Sequence, residues 1–361
     1  MSGSARPGTV SPTLTLTRPL LRWLRQDPTW STLPLALRAR LAWLATLGSV
    51  NLGLSRAAQP SGGASAVLPD PVFVVGPWRS GTTVLHELLV AASHGAAPRT
   101  WQCMNAAAFA LGAPPRGSVV AARPMDGLPV QADSPQEDEF ALLTVGVESA
   151  YRAFWMPHRI GELHHTVDPA FWLQYSSWLA PWTQLLAAMQ ARQGPGCVPP
   201  LILKSPNHTW RLPALLQRFP NARLVWMARD PAQVLPSNRA MWKTMFGLHG
   251  LTAADPAALE RFLDAALAQA AKVLMQCAAA LPPSQLVLLT HEQLRSDPAA
   301  ATAACLARLG LPCDAQALAS ALRLVAGGRV ERHAPAAPSS ALQALLAAQQ
   351  RTAESHGLVH R

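Results

Sequence analysis

The stretch Pro71–Thr83, PVFVVGPWRSGTT, decides the fold that we predict for this chain of 361 residues. Its first five residues are a short β-branched and aromatic run that ends at Gly76, which is typical of a buried strand. Residues 82–92 continue with a helical pattern. Two glycines five positions apart therefore lie where a strand turns into a helix, a place where backbone N–H groups can wrap an anion.

The loop in this stretch is close to a nucleotide phosphate-binding loop but lacks its lysine. The nucleotide version needs Lys directly after the second glycine, and this chain has Thr82 there. The cation lies inside the loop instead, as Arg79. This exchange fits poorly with magnesium-dependent transfer from a triphosphate and favours a ligand whose terminal group carries less charge. The candidate anion ligands are Arg79, Ser80, Gly81, Thr82 and Thr83.

Three further apolar runs alternate with helical patterns. The runs cover residues 201–203, 223–227 and 286–289, and the helical stretches cover residues 207–218, 231–246, 253–280 and 298–309. Strands that alternate with helices predict an α/β fold with a parallel sheet flanked by helices. Ligands of such sheets bind at the carboxyl ends of the strands.

Polar and basic residues follow two of these runs. Lys204, one of three lysines in the chain, ends the second run, and His208 comes four residues later. Arg229 follows the third run, and a helix that begins near Pro231 would return Ser237 to the same strand end. Arginine suits bidentate phosphate recognition. Taken singly, Arg229 could equally be a surface arginine, and His208 could equally be a histidine at the start of a helix.

Together these sites resemble the sulfotransferase superfamily. Its 5′-phosphosulfate motif, P-R-S-G-T-T, corresponds to residues 77–83 with Trp78 inserted, and Arg229 with Ser237 matches its 3′-phosphate motif. A bacterial-type branch carries L-K-S-P-x-H and P-Q-E-D-E, which stand here at residues 203–208 and 135–139. Residues 286–298 are similar to a later segment of the family, with His291 in place of the usual Tyr. The likeness covers residues 70–312.

The resemblance implies a P-loop nucleotide-hydrolase-like sulfotransferase fold and in-line transfer of a sulfuryl group from 3′-phosphoadenosine 5′-phosphosulfate. The acceptor would be a hydroxyl or an amine of a small molecule, a lipid or a glycan, and no metal is required. Arg79 would neutralise the leaving 5′-phosphate, and Lys204 the bridging or a sulfuryl oxygen. Arg229 and Ser237 would select the 3′-phosphate.

The general base is the open question in this scheme. Relatives commonly place Glu after the aromatic residue that follows the first helix. This chain reads Thr-Trp-Gln there, so Gln102 occupies the position of that Glu. An amide takes no proton at neutral pH, so His208 or a carboxylate, above all Glu137, is the candidate base. A catalytically weakened nucleotide-binding descendant and a P-loop kinase remain as alternatives, the latter disfavoured by Thr82.

The net charge of +10 is concentrated at the two ends of the chain. Residues 71–321 carry only +2, and no base-reading motif occurs, which argues against a nucleic-acid-binding protein. We expect three regions: a tail and helical extension over 1–69, the sulfotransferase domain over 70–325, and a basic tail over 326–361.

The remaining features concern location and acceptor. Five cysteines without C-x-x-C spacing, and no secretory signal, predict a cytoplasmic protein. A basic amphipathic helix begins after Ser31; it could touch a membrane peripherally, although packing on its own domain is favoured. Trp172, Trp178 and Trp182 could line an apolar acceptor pocket or fill the core.

Overall fold

The computed structural model describes residues 16–57, 68–111, 121–191 and 199–326. Residues 58–67, Cys197 and the predicted basic tail from residue 327 onward lie outside these ranges. Within them, the central sheet is built from the four predicted strands, so the predicted α/β class is confirmed.

The four strands are β1 (Val72–Val75), β4 (Ile202–Lys204), β5 (Arg223–Ala228) and β6 (Leu286–Thr290). They pair in parallel in the order β4-β1-β5-β6. A separate antiparallel pair consists of β2 (Ala121–Ala122) and β3 (Pro129–Val130). The sheet order puts β1 between β4 and β5, so the ends of all three meet at one edge.

Helices cover both faces of the sheet. They are α1 (Arg18–Arg25), α2 (Leu35–Ala57), α3 (Thr82–Ser93), α4 (Thr100–Met104), α5 (Glu139–Val145), α6 (Pro169–Gln174), α7 (Leu179–Ala191), α8 (His208–Arg218), α9 (Pro231–His249), α10 (Pro256–Ala280), α11 (His291–Ser296), α12 (Pro298–Arg308) and α13 (Ala315–Val325). Short 3-10 helices span Pro28–Thr32, Ala150–Phe154, Pro157–Val167, Ser176–Trp178 and Pro283–Gln285.

Side chains of β1 alternate between two cores, as the period of a strand requires. Val72 and Val74 pack in one cluster with α3, α12 and α13, whereas Phe73 and Val75 belong to the larger cluster with α8 and α10. A strand buried on both faces reads as a continuous apolar run, which is why VFVV was recognisable in the sequence.

The helix after β5 begins where the sequence predicted. The Asp230 carboxylate accepts a hydrogen bond of 2.8 Å from the Ala232 N–H, and Pro231 occupies the first turn. An N-cap aspartate satisfies a backbone donor, and proline has no N–H to lose there. This start fixes the phase of α9 and turns Ser237 toward the sheet edge.

Candidate functional site: an anion loop beside a row of buried acid–base pairs

The loop between β1 and α3 has a strained backbone. Gly76 and Gly81 have φ of 145° and 104°, and a Cβ on Gly76 would lie 2.6 Å from the Met227 carbonyl oxygen. Arg79 has φ of 69°, a left-handed conformation that a non-glycine residue rarely adopts. Such strain persists only where the surroundings hold it, and it is concentrated at binding sites.

Arg79 joins the loop to α9 and to the turn before β3. Its Nε donates to the Ser237 hydroxyl at 3.0 Å, and its Nη1 lies 2.6 Å from an Asp126 carboxylate oxygen. Arg229 donates to the Arg79 carbonyl at 2.8 Å. The structure therefore brings together the two predicted phosphate-binding motifs, although Ser237 contacts Arg79 directly. We call Arg79, Asp126, Arg229 and Ser237 the loop cluster.

Two polar atoms here are buried without a hydrogen-bond partner, the Ser80 hydroxyl and Nε of Arg229. Burial lowers the pKa of Arg229, and the positive charge of Arg79 lowers it further. Ser80 and Arg229 thus have unused donors, and the two arginines repel each other. An anion bound between them would accept these hydrogen bonds and relieve the repulsion.

Lys204 lies beside this loop at the end of β4. Its Nζ is 2.7 Å from a Glu137 carboxylate oxygen and 3.3 Å from the Thr83 hydroxyl at the start of α3. The second oxygen of Glu137 accepts from the Tyr151 hydroxyl at 2.8 Å. Burial lowers the pKa of Lys204, which the Glu137 charge opposes, and burial with that same charge raises the pKa of Tyr151.

Three consecutive acids pair with three bases that are spaced along β4 and α8. The pairs are Glu137 with Lys204, Asp138 with His208, and Glu139 with Arg211. Positions 208 and 211 share one helix face, and Lys204 ends the strand just before it. These geometric relations link the P-Q-E-D-E and L-K-S-P-x-H segments into one unit. We call the six residues the acid–base row.

The inner two pairs have no access to solvent. Both nitrogens Nη1 and Nη2 of Arg211 bind the Glu139 carboxylate, and the guanidinium lies 4.1 Å from the centroid of the Trp172 ring. Burial alone would raise the pKa of Asp138, but the charge and hydrogen bond of His208 and a 2.6 Å bond from Trp182 lower it below its usual value.

Comparison with known proteins places this geometry in a family. A profile of the Sulfotransferase family matches residues 71–315, which contain the sheet, the loop cluster and the acid–base row. The chain belongs to the sulfotransferase family. The superfamily resemblance and the sulfotransferase fold predicted from the sequence are thereby confirmed.

Two curated sulfotransferases are similar over 242 residues at 29% identity. Both are named omega-hydroxy-beta-dihydromenaquinone-9 sulfotransferase Stf3, one from Mycobacterium bovis and one from Mycobacterium tuberculosis. The match covers 65% of this chain and 61% of each relative. The chain thus spans less than two thirds of the length of these relatives.

Solved sulfotransferase structures share the fold. STF9 from Mycobacterium avium superposes with a TM-score of 0.59 at 18% identity, over 92% of this chain and 87% of that one. STF1 from Mycobacterium tuberculosis H37Rv gives a TM-score of 0.56 at 17% identity, over 84% of each chain. In the part of the chain that the structure describes, no helix has the length and apolarity needed to cross a membrane.

The two candidates for the general base lie in different surroundings. His208 is 0% exposed, and its Nε2 is 2.9 Å from an Asp138 carboxylate oxygen. A general base must reach the proton that it removes, and no atom of this imidazole reaches solvent. Glu137 differs from His208 in touching Lys204, which in turn contacts Thr83 in the loop.

Gln102 has a local structural partner. Its Oε1 accepts a 2.9 Å hydrogen bond from the Arg99 N–H, which caps the start of α4. The tryptophans that were considered for an acceptor pocket are core residues, since Trp172, Trp178 and Trp182 are all buried and pack against one another. The pocket interpretation of these three rings is wrong.

Several residues of the site escaped sequence reasoning. Asp126 lies in an unremarkable turn, and nothing in its surroundings predicted contact with Arg79. Tyr151 likewise had no local signal. Arg211 was detectable in retrospect, because it continues the spacing of Lys204 and His208 by one further helical turn.

Proposed function

We propose that this protein transfers a sulfuryl group from 3′-phosphoadenosine 5′-phosphosulfate to the hydroxyl or amine of an acceptor. One observation carries the proposal: cations from the ends of β1, β5 and β4 converge on the N-terminus of α3, as Arg79, Arg229 and Lys204. Phosphate and sulfuryl groups are anions, and a helix N-terminus with fixed cations is suited to bind them.

In this proposal the loop cluster binds the nucleotide. Residues 80–83 present backbone N–H groups to the 5′-phosphate, together with the Ser80 hydroxyl and Arg79. Arg229 and Ser237 bind the 3′-phosphate. The unpartnered Ser80 hydroxyl and Arg229 Nε support this fit, because both are buried donors that a phosphate oxygen would satisfy.

The transfer step uses the outer pair of the acid–base row. The bond between sulfur and the 5′-phosphate oxygen breaks while a bond from the acceptor oxygen to sulfur forms. Lys204 stabilises the charge that develops on the bridging oxygen, and Glu137 takes the proton of the acceptor hydroxyl. The contact of Lys204 with both Thr83 and Glu137 supports these roles, since it joins the loop to the carboxylate. No metal takes part.

We further propose that the acceptor is an apolar hydroxyl compound of the lipid class and that the protein is cytoplasmic and peripheral to a membrane. The two similar proteins are named for a menaquinone derivative, and an isoprenoid quinone partitions into lipid. Cys103, Cys277, Cys305 and Cys313 are free thiols, which fits a reducing compartment.

Calorimetry with 3′-phosphoadenosine 5′-phosphate tests the nucleotide assignment. We expect Arg229→Ala to weaken its binding by about 10- to 100-fold, because a charge-assisted hydrogen bond is lost. Binding of adenosine 5′-phosphate, which lacks the 3′-phosphate, should change little. Equal losses for both ligands would refute the 3′-phosphate site.

Transfer of labelled sulfate to a panel of hydroxylated isoprenoids and to polar alcohols tests the reaction. We expect product with the isoprenoids, and the same rate after addition of EDTA. Loss of activity that a divalent metal restores, together with tighter binding of magnesium ATP than of the bisphosphate, would support a kinase instead.

A further inference from the structure

The helix α2 exposes an apolar face that nothing in the described part of the chain covers. Trp43, Leu47, Val50 and Leu54 follow one another at spacings of four, three and four residues, which puts them on one side of the helix. They are 64%, 44%, 51% and 53% exposed. Large apolar side chains that form a continuous exposed stripe mark an interaction site.

The opposite side of α2 is the one that packs on the domain. Leu41, Ala45 and Gly48 are buried there against α1, and the Arg18 N–H of α1 donates to the Ser49 hydroxyl at 2.8 Å. The helix was expected to pack on its own domain, and it does so only through the face that carries Leu41, Ala45 and Gly48. The helix is held in place, so its outer face is fixed toward solvent.

The exposed charges of the segment that carries this face have one sign. Residues 16–57 contain six arginines and a single acid, Asp27. Asp27 is buried and contacts His158 and Arg159, so its carboxylate is not exposed at the surface. The exposed arginines are Arg18, Arg22, Arg25, Arg40 and Arg56.

We propose that this face of α2 docks onto an anionic lipid surface, with the helix lying in the plane of the interface. An interfacial helix has an apolar face containing Trp and Leu together with flanking arginines, and Trp prefers the headgroup level. Charge complementarity favours anionic headgroups as the occupant, because α1 and α2 both carry exposed arginines and the segment exposes no acid. The inference extends the proposed lipid acceptor, and the exposed residues of α1 and α2 are the observations that support it.

Vesicle flotation of the full chain tests the docking. We compare vesicles of phosphatidylcholine alone with vesicles that contain phosphatidylglycerol as a third of the lipid. We expect binding to the anionic vesicles that weakens as salt is raised, since surface charges are screened. The double variant Trp43→Glu with Leu47→Glu should lose at least ten-fold in partitioning.

A matched control carries the same charges elsewhere. Leu173→Glu with Leu248→Glu alters two leucines that are each 40% exposed, and it should bind vesicles as the unmodified protein does. Arg40→Gln with Arg56→Gln should reduce the preference for anionic lipid. Thermal melting and binding of 3′-phosphoadenosine 5′-phosphate should stay unchanged in all three variants, so a failure of docking is distinguishable from a failure of the nucleotide site.

Three results would overturn the proposal. The first is absence of vesicle binding by the unmodified chain, as would follow if another segment covers the face. The second is equal vesicle binding by the Trp43→Glu, Leu47→Glu variant. The third is a dimer in light scattering that this variant converts to a monomer, which would make the face an interface between copies of the chain.

Discussion

The loop cluster and the acid–base row are neighbouring groups of charge that are paired in opposite ways. Arg79 and Arg229 are half-buried and lie next to each other, and Asp126 pairs with Arg79 and Arg123 rather than with Arg229. In the row, each acid has its own base and the inner two pairs are sealed from water. The excess positive charge and free hydrogen-bond donors of the loop cluster suit an anionic ligand. The balanced, buried charges of the inner pairs instead fix the positions of the side chains.

The outer pair of the row, Lys204 with Glu137, shares features of both groups. Lys204 and Glu137 are matched like the inner pairs, but Lys204 also contacts Thr83 in the loop. The row thus extends from a structural interior to the edge where chemistry is proposed, and substitution at its two ends should have different consequences.

The largest effect is expected at that outer end. Glu137→Gln should lower the single-turnover rate by about 10²- to 10⁴-fold, the range for loss of a general base, while nucleotide binding persists. Stopped-flow or quenched-flow rates between pH 5 and 9 provide the measurement.

His208→Gln is the control for this prediction. Since His208 contacts Asp138 and no solvent, we expect lower thermal stability with a single-turnover rate close to that of the unmodified protein. A large loss of rate in His208→Gln, with a near-normal rate in Glu137→Gln, would identify the histidine as the base instead.

At the inner end, the expected loss is in stability. Arg211→Ala leaves Glu139 as a buried charge without its partner, which should cost about 3–5 kcal/mol of unfolding free energy. Urea denaturation measures it. The surface pair Arg239 and Glu260 gives the comparison, and Arg239→Ala should cost no more than about 1 kcal/mol.

The double variant Arg211→Met with Glu139→Leu sharpens the same point. Replacing both charges by apolar side chains should restore most of the stability, since no buried charge is left unpaired. A double variant as unstable as Arg211→Ala would indicate that the ion pair itself, rather than its imbalance, holds the helices together.

A smaller effect is expected at Glu87, one helical turn beyond Thr83. Burial raises the pKa of this carboxyl from 4.5 to about 7, although Arg99 opposes the shift. The fold therefore favours the neutral acid, and stability is lost as pH rises from about 4.5 to about 7. Glu87→Gln should raise the unfolding free energy by about 1–3 kcal/mol at pH 8 and leave it unchanged at pH 4.

Melting curves from pH 4 to 8.5 measure this difference between protein and variant. The exposed carboxylate variant Glu162→Gln should show no such gain at high pH. A Glu87→Gln protein that is destabilised at pH 8 would mean that the charged carboxylate is needed by Arg99.

The smallest effect is expected at Asp126. Its carboxylate occupies the Arg79 nitrogen that a phosphate would use, so Asp126→Asn should tighten binding of 3′-phosphoadenosine 5′-phosphate by about 2- to 10-fold. Titration calorimetry at constant salt measures it. Weaker binding in the variant would show that Asp126 orients Arg79 for the ligand.

Local sequence was sufficient for the sheet and for the loop cluster's main members. A strand buried on both faces is a continuous apolar run, a loop that needs positive φ selects glycine, and an Asp-Pro pair sets the start of α9. Each of these causes acts over a few residues. The strand PVFVV with its glycine, Arg79 and the Arg229–Ser237 spacing can therefore be recognised from the sequence.

Tertiary structure alone decided which acid meets which base, and which side chains reach solvent. Glu137 and Lys204 are 67 positions apart, and Asp126 lies 47 residues beyond Arg79, so no local pattern could join them. The burial of His208 and of the three tryptophans, and the exposure of Trp43 on α2, depend on what packs against each element. Sequence determined the chemistry that the chain carries; packing determined which of it a substrate, or a membrane, can touch.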